Sequence, residues 1–209
     1  MRSSTRVLEQ WNRKIHFYLG LYFLCFLWLF ALTGLLLNHG QWQMALAANA
    51  RVESRHERQI ELPAGTTDLE RARDVMRQLG LAGEVDIPPQ QTGSFQFNTS
   101  RPSDANTVRV NLAQGLASVQ HFENGHWARF RILHTFSGSR YNQPASQRDW
   151  MVTSAWVFAM DAMSVGLIVM ILGSYYMWWR LKPKHGLGLI VLLAGYGSSL
   201  WFMVGLFSR

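Results

Sequence analysis

Residues 17–37, FYLGLYFLCFLWLFALTGLLL, run for 21 positions without a charge. At 1.5 Å of rise per residue, about 20 apolar residues cross a hydrocarbon core of roughly 30 Å. The run therefore reads as a membrane span, and whatever fold the chain adopts must be built around it. His16 stands immediately before it and His39 just after it, which places two imidazoles near opposite faces of the bilayer. A cleavable signal peptide is the competing reading, because Ala45-Leu46-Ala47 offers small residues downstream of a basic start. The apolar region of a signal peptide is about 7–15 residues long. This one is longer and ends well before the alanines, so an uncleaved anchor is expected.

Two further apolar blocks follow. Residues 155–179 are interrupted only by Asp161, and residues 187–207 contain no charge. Three membrane helices are expected. The formal net charge of +7 invites a nucleic-acid reading until it is divided by segment. Arg2, Arg6, Arg13 and Lys14 against Glu9 leave +3 before the first span, and Arg180, Lys182 and Lys184 leave +3 between the second and third. The region between spans one and two holds 12 arginines against 11 acids. Short loops rich in Lys and Arg stay in the cytoplasm, so the surplus is a topology signal. It puts the N-terminus and the loop before His185 inside, and residues 38–148 and the C-terminus outside. No block of like charge suggests a nucleic-acid partner.

Cys25 is the single cysteine. That excludes an intrachain disulfide, a CxxC site, an iron–sulfur cluster and covalent haem attachment; the residue is expected to serve as a small packing group.

Between spans one and two the pattern turns soluble. Residues 45–59 are polar with no clear period and read as a connecting strand or linker. Thr67 with Glu70 three residues on forms a capping box; Leu69, Ala72, Val75, Met76 and Leu79 then recur at helical spacing, and Gly80 is placed to end the helix. Short runs of period two follow at 84–87, 94–98, 107–112 and 116–122, separated by Gly93, the 102–106 stretch and Gln114-Gly115. A helix followed by a small antiparallel sheet is expected. Residues 126–136, HWARFRILHTF, read as an interfacial amphipathic segment. The second span ends in Tyr175-Tyr176-Met177-Trp178-Trp179, an aromatic belt ahead of Arg180. The fold class is thus an α-helical integral membrane protein with three transmembrane helices and a small α+β periplasmic domain between helices 1 and 2. The boundaries are a cytoplasmic segment 1–15, helix 16–38, periplasmic part 39–149, helix 150–180, cytoplasmic loop 181–186 and helix 187–207.

Four of the seven histidines fall at membrane boundaries. A noncovalent haem b takes an axial imidazole from each of two segments at the same depth, and the four sort into an inner pair, His16 with His185, and an outer pair, His39 with His134. Interfacial histidine is also common for its amphipathic ring alone, so both readings stand. His56, His121 and His126 are expected at the surface of the soluble part. Arg129, Arg131, Arg140 and Arg148 lie in sequence around the outer pair; guanidinium forks bind carboxylates in two places, which suits haem propionates, and equally suits lipid phosphate. His16 and His39, 23 residues apart, are separated by about 34 Å along a helix, a long gap for electron transfer between two haems. Asp161, the one ionisable residue inside a span, is expected to pair with an outer arginine rather than relay protons. Met163, Met170 and Met177 read as a packing seam rather than metal ligands. Gly186, Gly188, Gly195 and Gly197 follow no strand and make no dinucleotide loop.

Arg13-Lys14-Ile15-His16-Phe17-Tyr18-Leu19-Gly20, followed by residues 31–37, ALTGLLL, resembles the first helix of the PepSY-associated transmembrane family. Leu133-His134 resembles its "LH" element, residues 172–179 its second-helix ending, and Lys184-His185-Gly186-Leu187-Gly188, more loosely, the start of its next helix. The helix and sheet between are similar to a PepSY domain. The family includes iron-regulated membrane proteins and ferric-siderophore reductases, so the resemblance implies one or two haem b groups on His16, His39, His134 and His185. It also implies electron flow, from quinol or another inner-side donor, to a periplasmic ferric chelate or flavoprotein. Larger members have at least four helices; three here imply fewer haems, or a homo- or hetero-oligomer that completes the bundle. The alternative is a haem-free membrane anchor or accessory subunit whose PepSY-like domain binds or regulates a periplasmic partner.

Overall fold

The computed structural model describes residues 2–43, 51–89, 93–138, 150–180 and 185–207. Ala45 to Ala47, Arg140, Arg148, Lys182 and Lys184 lie outside the described residues. In chain order the elements are α1 (Arg2–Asn38), β1 (Arg51–Gln59), α2 (Asp68–Leu79), β2 (Glu84–Asp86), β3 (Ser94–Arg101), β4 (Asp104–Asn111), β5 (Leu116–Asn124), α3 (His126–Thr135), α4 (Met151–Arg180) and α5 (His185–Phe207). Three of them, α1, α4 and α5, are long and apolar enough to cross a bilayer, and the chain is a membrane protein with a small antiparallel sheet domain. It divides into two compact units, Met1–Leu24 with Asp161–Arg209 and Cys25–Met160.

In the first unit α1 and α4 run antiparallel, and the glycines of both helices are where they meet. Phe23 is buried beside Gly166, where a Cβ would fall 2.3 Å from the ring. Met170 packs its methyl on Gly20, and Asn12 donates from Nδ2 to the Gly173 carbonyl at 3.0 Å. At the end of the row Arg180 Nε meets Glu9 Oε1 at 2.6 Å. From pair to pair the α1 partner moves back toward the start of its helix while the α4 partner moves on toward the end of its own. The expected methionine seam is present in part, through Met163, which is buried, and Met170. The third helix, α5, buries no residue; it is held to α4 by a 2.6 Å hydrogen bond between the Tyr175 and Tyr196 hydroxyls and by Gly188, which lies under the Trp178 indole.

The second unit contains a five-stranded sheet in the order β1-β5-β4-β3-β2, antiparallel throughout. Alternate residues of the central strands, Phe95 and Phe97, Val108 and Val110, Ala117 and Val119, share one face and pack with Ala72, Val75 and Met76 of α2. The helix is built as its sequence demands. Thr67 accepts from the Glu70 N–H while Glu70 Oε2 accepts from the Thr67 and Thr66 N–H groups, and Gly80 closes the helix in the left-handed region. The orphan amides of the first turn are thereby satisfied.

The polar run 51–59, read as a connecting strand or linker, is a full strand, paired over its whole length with β5 and exposed at every residue. The stretch 102–106, expected as a turn, contributes only Pro102 and Ser103 to it, because β4 starts at Asp104. Asp104 and Asn106 are buried at the polar end of the core face, where Arg101 Nε and Ser103 Oγ donate to Asp104, and Asn106 Nδ2 donates to Thr99 Oγ1 and Asp104 Oδ1. Buried polar groups survive only when satisfied in this way. His121, expected at the surface, is half-buried and joins the same network, donating from Nδ1 to Asn106 Oδ1 at 2.6 Å; His56 and His126 are exposed.

Candidate functional site

His134 lies near the end of α3, within the second unit, and meets α1 over Phe30 and Thr33. Its ring sits 5.0 Å from that of Phe30, and its Nδ1 is 2.8 Å from Thr33 Oγ1. Thr33 is buried, and its hydroxyl lies 2.7 Å from the Leu29 carbonyl and 3.3 Å from that of Phe30, the backbone acceptors for its one proton. The threonine oxygen is therefore an acceptor toward the imidazole, Nδ1 carries the hydrogen, and Nε2 keeps a lone pair in the neutral ring. Trp156 of α4 closes the cluster, with its ring stacked on Phe30 at 6.4 Å and its Nε1 donating to the Phe136 carbonyl at 3.1 Å.

His39, one residue past the end of α1, is fixed by its own helix. Its Nδ1 donates to the Leu35 carbonyl at 3.0 Å and its ring stacks on Trp42 at 4.3 Å. It too presents Nε2 as the lone-pair nitrogen. A ring nitrogen hydrogen-bonded to oxygen while the other stays bare is the arrangement that metal-ligating imidazoles adopt. The two rings do not touch. Thr33, against which His134 rests, is six residues before His39, a rise of about 9 Å.

The other pair lies in the first unit. His16 makes no hydrogen bond among the described residues, and its Nδ1 is buried. It lines a cavity of about 470 Å³ among α1, α4 and α5, together with Met170, Tyr175, Trp178 and Gly188. The Trp178 Nε1 is likewise buried without an acceptor. His185 is not among the lining residues. Its ring stacks on Trp179 at 5.9 Å and its Nε2 donates to the Trp179 carbonyl at 2.8 Å. The structure thus gives His16 an unsatisfied imidazole in a cavity but does not bring His185 to it.

Arg129 donates from Nε to the Asn124 carbonyl and from its other arm to Glu123 Oε1 at 2.8 Å, so an anion would have to displace Glu123. Arg131 is half-buried and also engaged. Asp161 is exposed on α4 and pairs with none of the described residues. Cys25, expected as a small packing group within the first span, is exposed. Among the described residues no group of three or more His, Cys, Asp or Glu is arranged around a metal ion. A larger cleft of about 600 Å³ flanks α2. Its Glu70 and Arg77 are already bonded, to the cap and to Asp74, which leaves it little chemistry.

Sequence reasoning located the four histidines but missed Thr33 and Trp178, whose roles arise only from helix packing. A profile of the family described as PepSY-associated TM region matches residues 12–203. No curated protein and no solved structure matches the chain.

Proposed function

The chain belongs to the family of PepSY-associated TM regions, and on that footing we propose that it is a haem b-binding electron-transfer protein of the bacterial inner membrane. In this reading residues 2–15 face the cytoplasm, where their arginines and Lys14 belong. The sheet domain is periplasmic, and electrons leave there to a ferric chelate or a flavoprotein.

One observation carries the reading: the hydrogen bond from His134 Nδ1 to Thr33 Oγ1, which fixes the tautomer and aims Nε2 as a ligand. When bound, haem b supplies a one-electron iron couple. The chain's own part is to orient the His134 imidazole through Thr33 and to hold it in an apolar wall built from Phe30 and Trp156. Donation by the Thr33-held ring raises the basicity of Nε2. His39, whose Nδ1 is likewise held by a carbonyl oxygen, would be the second residue to hold the group. Arg129 and Arg131, on the same helix as His134, would supply guanidinium groups for the propionates, Arg129 by exchanging Glu123 for the anion. The reading does not extend to a second haem between His16 and His185, since His185 is turned onto the Trp179 carbonyl.

The test is spectroscopic. Protein purified in detergent after haem-supplemented expression should be red, with sharp low-spin bands on dithionite reduction and about one haem per chain by pyridine haemochrome. His134→Ala should lose it. Colourless native protein, or a His134→Ala variant with unchanged bands, would sink the proposal. A haem-free anchor then takes its place, favoured by β1, an exposed edge strand with no second partner strand among the described residues, which suits an added strand from a partner.

A further inference from the structure

The two edges of the sheet differ. β2 is three residues long, whereas β1 runs for nine, pairs with β5 at every position without a bulge and contains neither glycine nor proline. Edges are ordinarily blunted by being short, bulged, proline-bearing or charged; β1 keeps only the last of these devices, and its charges alternate in sign. Just past it the Ile60 N–H donates to the Gly115 carbonyl at 2.9 Å, one step beyond the pairing of Gln59 with Leu116. In an antiparallel ladder only every second residue exchanges hydrogen bonds with a given neighbour. Val52, Ser54, His56 and Arg58 are therefore bonded to β5, while Arg51, Glu53, Arg55 and Glu57 turn their N–H and C=O groups to the free edge. Those four also share the face of the sheet away from α2, because the β5 residues opposite them alternate with the core residues Ala117 and Val119. Their contacts there are with neutral groups of β5: Arg51 lies over the Phe122 ring, Glu53 accepts from Gln120 and Arg55 donates to Ser118.

We propose that β1 is a self-pairing edge, and that two copies of this chain join β1 to β1, antiparallel about a two-fold axis at Ser54, into one continuous sheet. The edge is open to any strand; its charge pattern is what selects a second copy. With the axis at Ser54, Arg51 stands opposite the partner's Glu57 and Glu53 opposite the partner's Arg55, each pair made twice by symmetry. These are also the residues whose backbone groups are free to exchange hydrogen bonds. An axis at Arg55 sets arginine against arginine and Glu53 against Glu57, and an axis at Glu53 sets glutamate against glutamate and Arg51 against Arg55. An axis at Val52 or His56 keeps only one of the two kinds of pair. Opposite charges directly across a ladder stabilise it and like charges destabilise it, so the alternation specifies one register and rejects its neighbours. The interface lies in the sheet domain, apart from any oligomer that completes the helix bundle, and both copies are held in one bilayer, which raises their effective concentration.

The experiment is disulfide trapping of the full chain in phosphatidylcholine vesicles, in a Cys25→Ser background under mild oxidant. On the axis the two Ser54 residues form a non-hydrogen-bonded pair with Cα atoms about 4.5 Å apart, within disulfide geometry. Val52 and His56 each lie roughly 14 Å from their own copies. Ser54→Cys should therefore trap a covalent dimer. Val52→Cys, His56→Cys and Ala113→Cys, the last on the exposed turn between β4 and β5, should each trap little, although chains carrying Val52→Cys should crosslink to chains carrying His56→Cys. Arg55→Glu lines Glu53, Glu57 and the new carboxylate along the edge and should lower trapping at position 54 about tenfold. Adding Glu53→Arg to it restores opposite pairs and should restore the dimer. Absence of a dimer from Ser54→Cys, equal trapping at positions 52, 54 and 56, or indifference to Arg55→Glu overturns the proposal. So does trapping of a chain of different mass in native membranes, which would give the edge to another protein. Haem has no part in the readout, so the haem reading can fail while this one stands.

Discussion

His134 Nδ1 and Thr33 Oγ1 stand 2.8 Å apart, with the hydrogen on the imidazole because the threonine proton is committed to the carbonyls of its own helix. Thr33→Val keeps the shape and removes the acceptor. Loss of such an orienting partner typically costs 10–100-fold in affinity at a metal site, so haem titration of the apoprotein should show a weakening of about that size, and Thr33→Ser should restore most of it. Equal affinity in Thr33→Val would mean that the bond is only structural.

Phe23 and Gly166 make a second relationship of the same exactness in shape. Gly166→Leu forces a side chain into the volume of the Phe23 ring, and overpacking of this kind costs about 1–3 kcal/mol. Unfolding in mixed micelles should register it. Phe23→Ala made in the same chain should recover part of the loss; if the two effects simply add, the contact is not what positions α1 on α4.

Phe97 is fully buried at the centre of the sheet face. Phe97→Ala should destabilise the sheet domain by about 3–5 kcal/mol, enough to unfold a domain this small. Limited proteolysis should then cut within β3 and β4 while α4 and α5 remain protected by lipid.

The α2 cap sets an acid limit. Hydrogen bonds from the Thr66 and Thr67 backbone N–H groups hold the Glu70 carboxyl below its ordinary value, and the Ala64 N–H, with Gln78 and Arg77, does the same for Asp74. A carboxylate depressed in the folded state adds stability that is complete above the unfolded value, about 4 to 4.3 for these groups, and disappears as pH falls through the folded value. The protection of the α2 amides against hydrogen exchange, taken relative to the intrinsic rate at each pH, should therefore fall from about pH 4.5 downward. Glu70→Gln should flatten that dependence, and Thr67→Ala should cost about 1 kcal/mol at neutral pH.

The sequence spoke clearly wherever burial had a period. The three spans, the capped α2 and the central strands all carry apolar residues at the spacing their elements require, and each lies near where that spacing put it. β1 was obscure because an edge strand exposed on both faces has no apolar alternation to show; its strand character comes only from pairing with β5. Asp104 and Asn106 looked like turn residues because their side chains satisfy backbone groups in turns; here Arg101, Ser103 and Thr99 take those bonds and the residues go inside. The site was half legible. Histidines at the ends of an apolar run are visible in a string of letters, whereas the threonine that sets a tautomer, and the glycine that makes room beside an indole, belong to a neighbouring helix and carry no signal of their own.

A helix that buries none of its residues, as α5 does, asks little of its sequence from the rest of its own chain. Leu193 and Val204 are exposed, so exchange of Leu193 for Ile, or of Val204 for Leu, falls mostly on uncovered surface, and most of α5 is free to drift among apolar residues as long as its length and hydropathy are kept. Only at Gly188, beneath Trp178, and at Tyr196, bonded to Tyr175, does that helix have to be spelled with one particular letter.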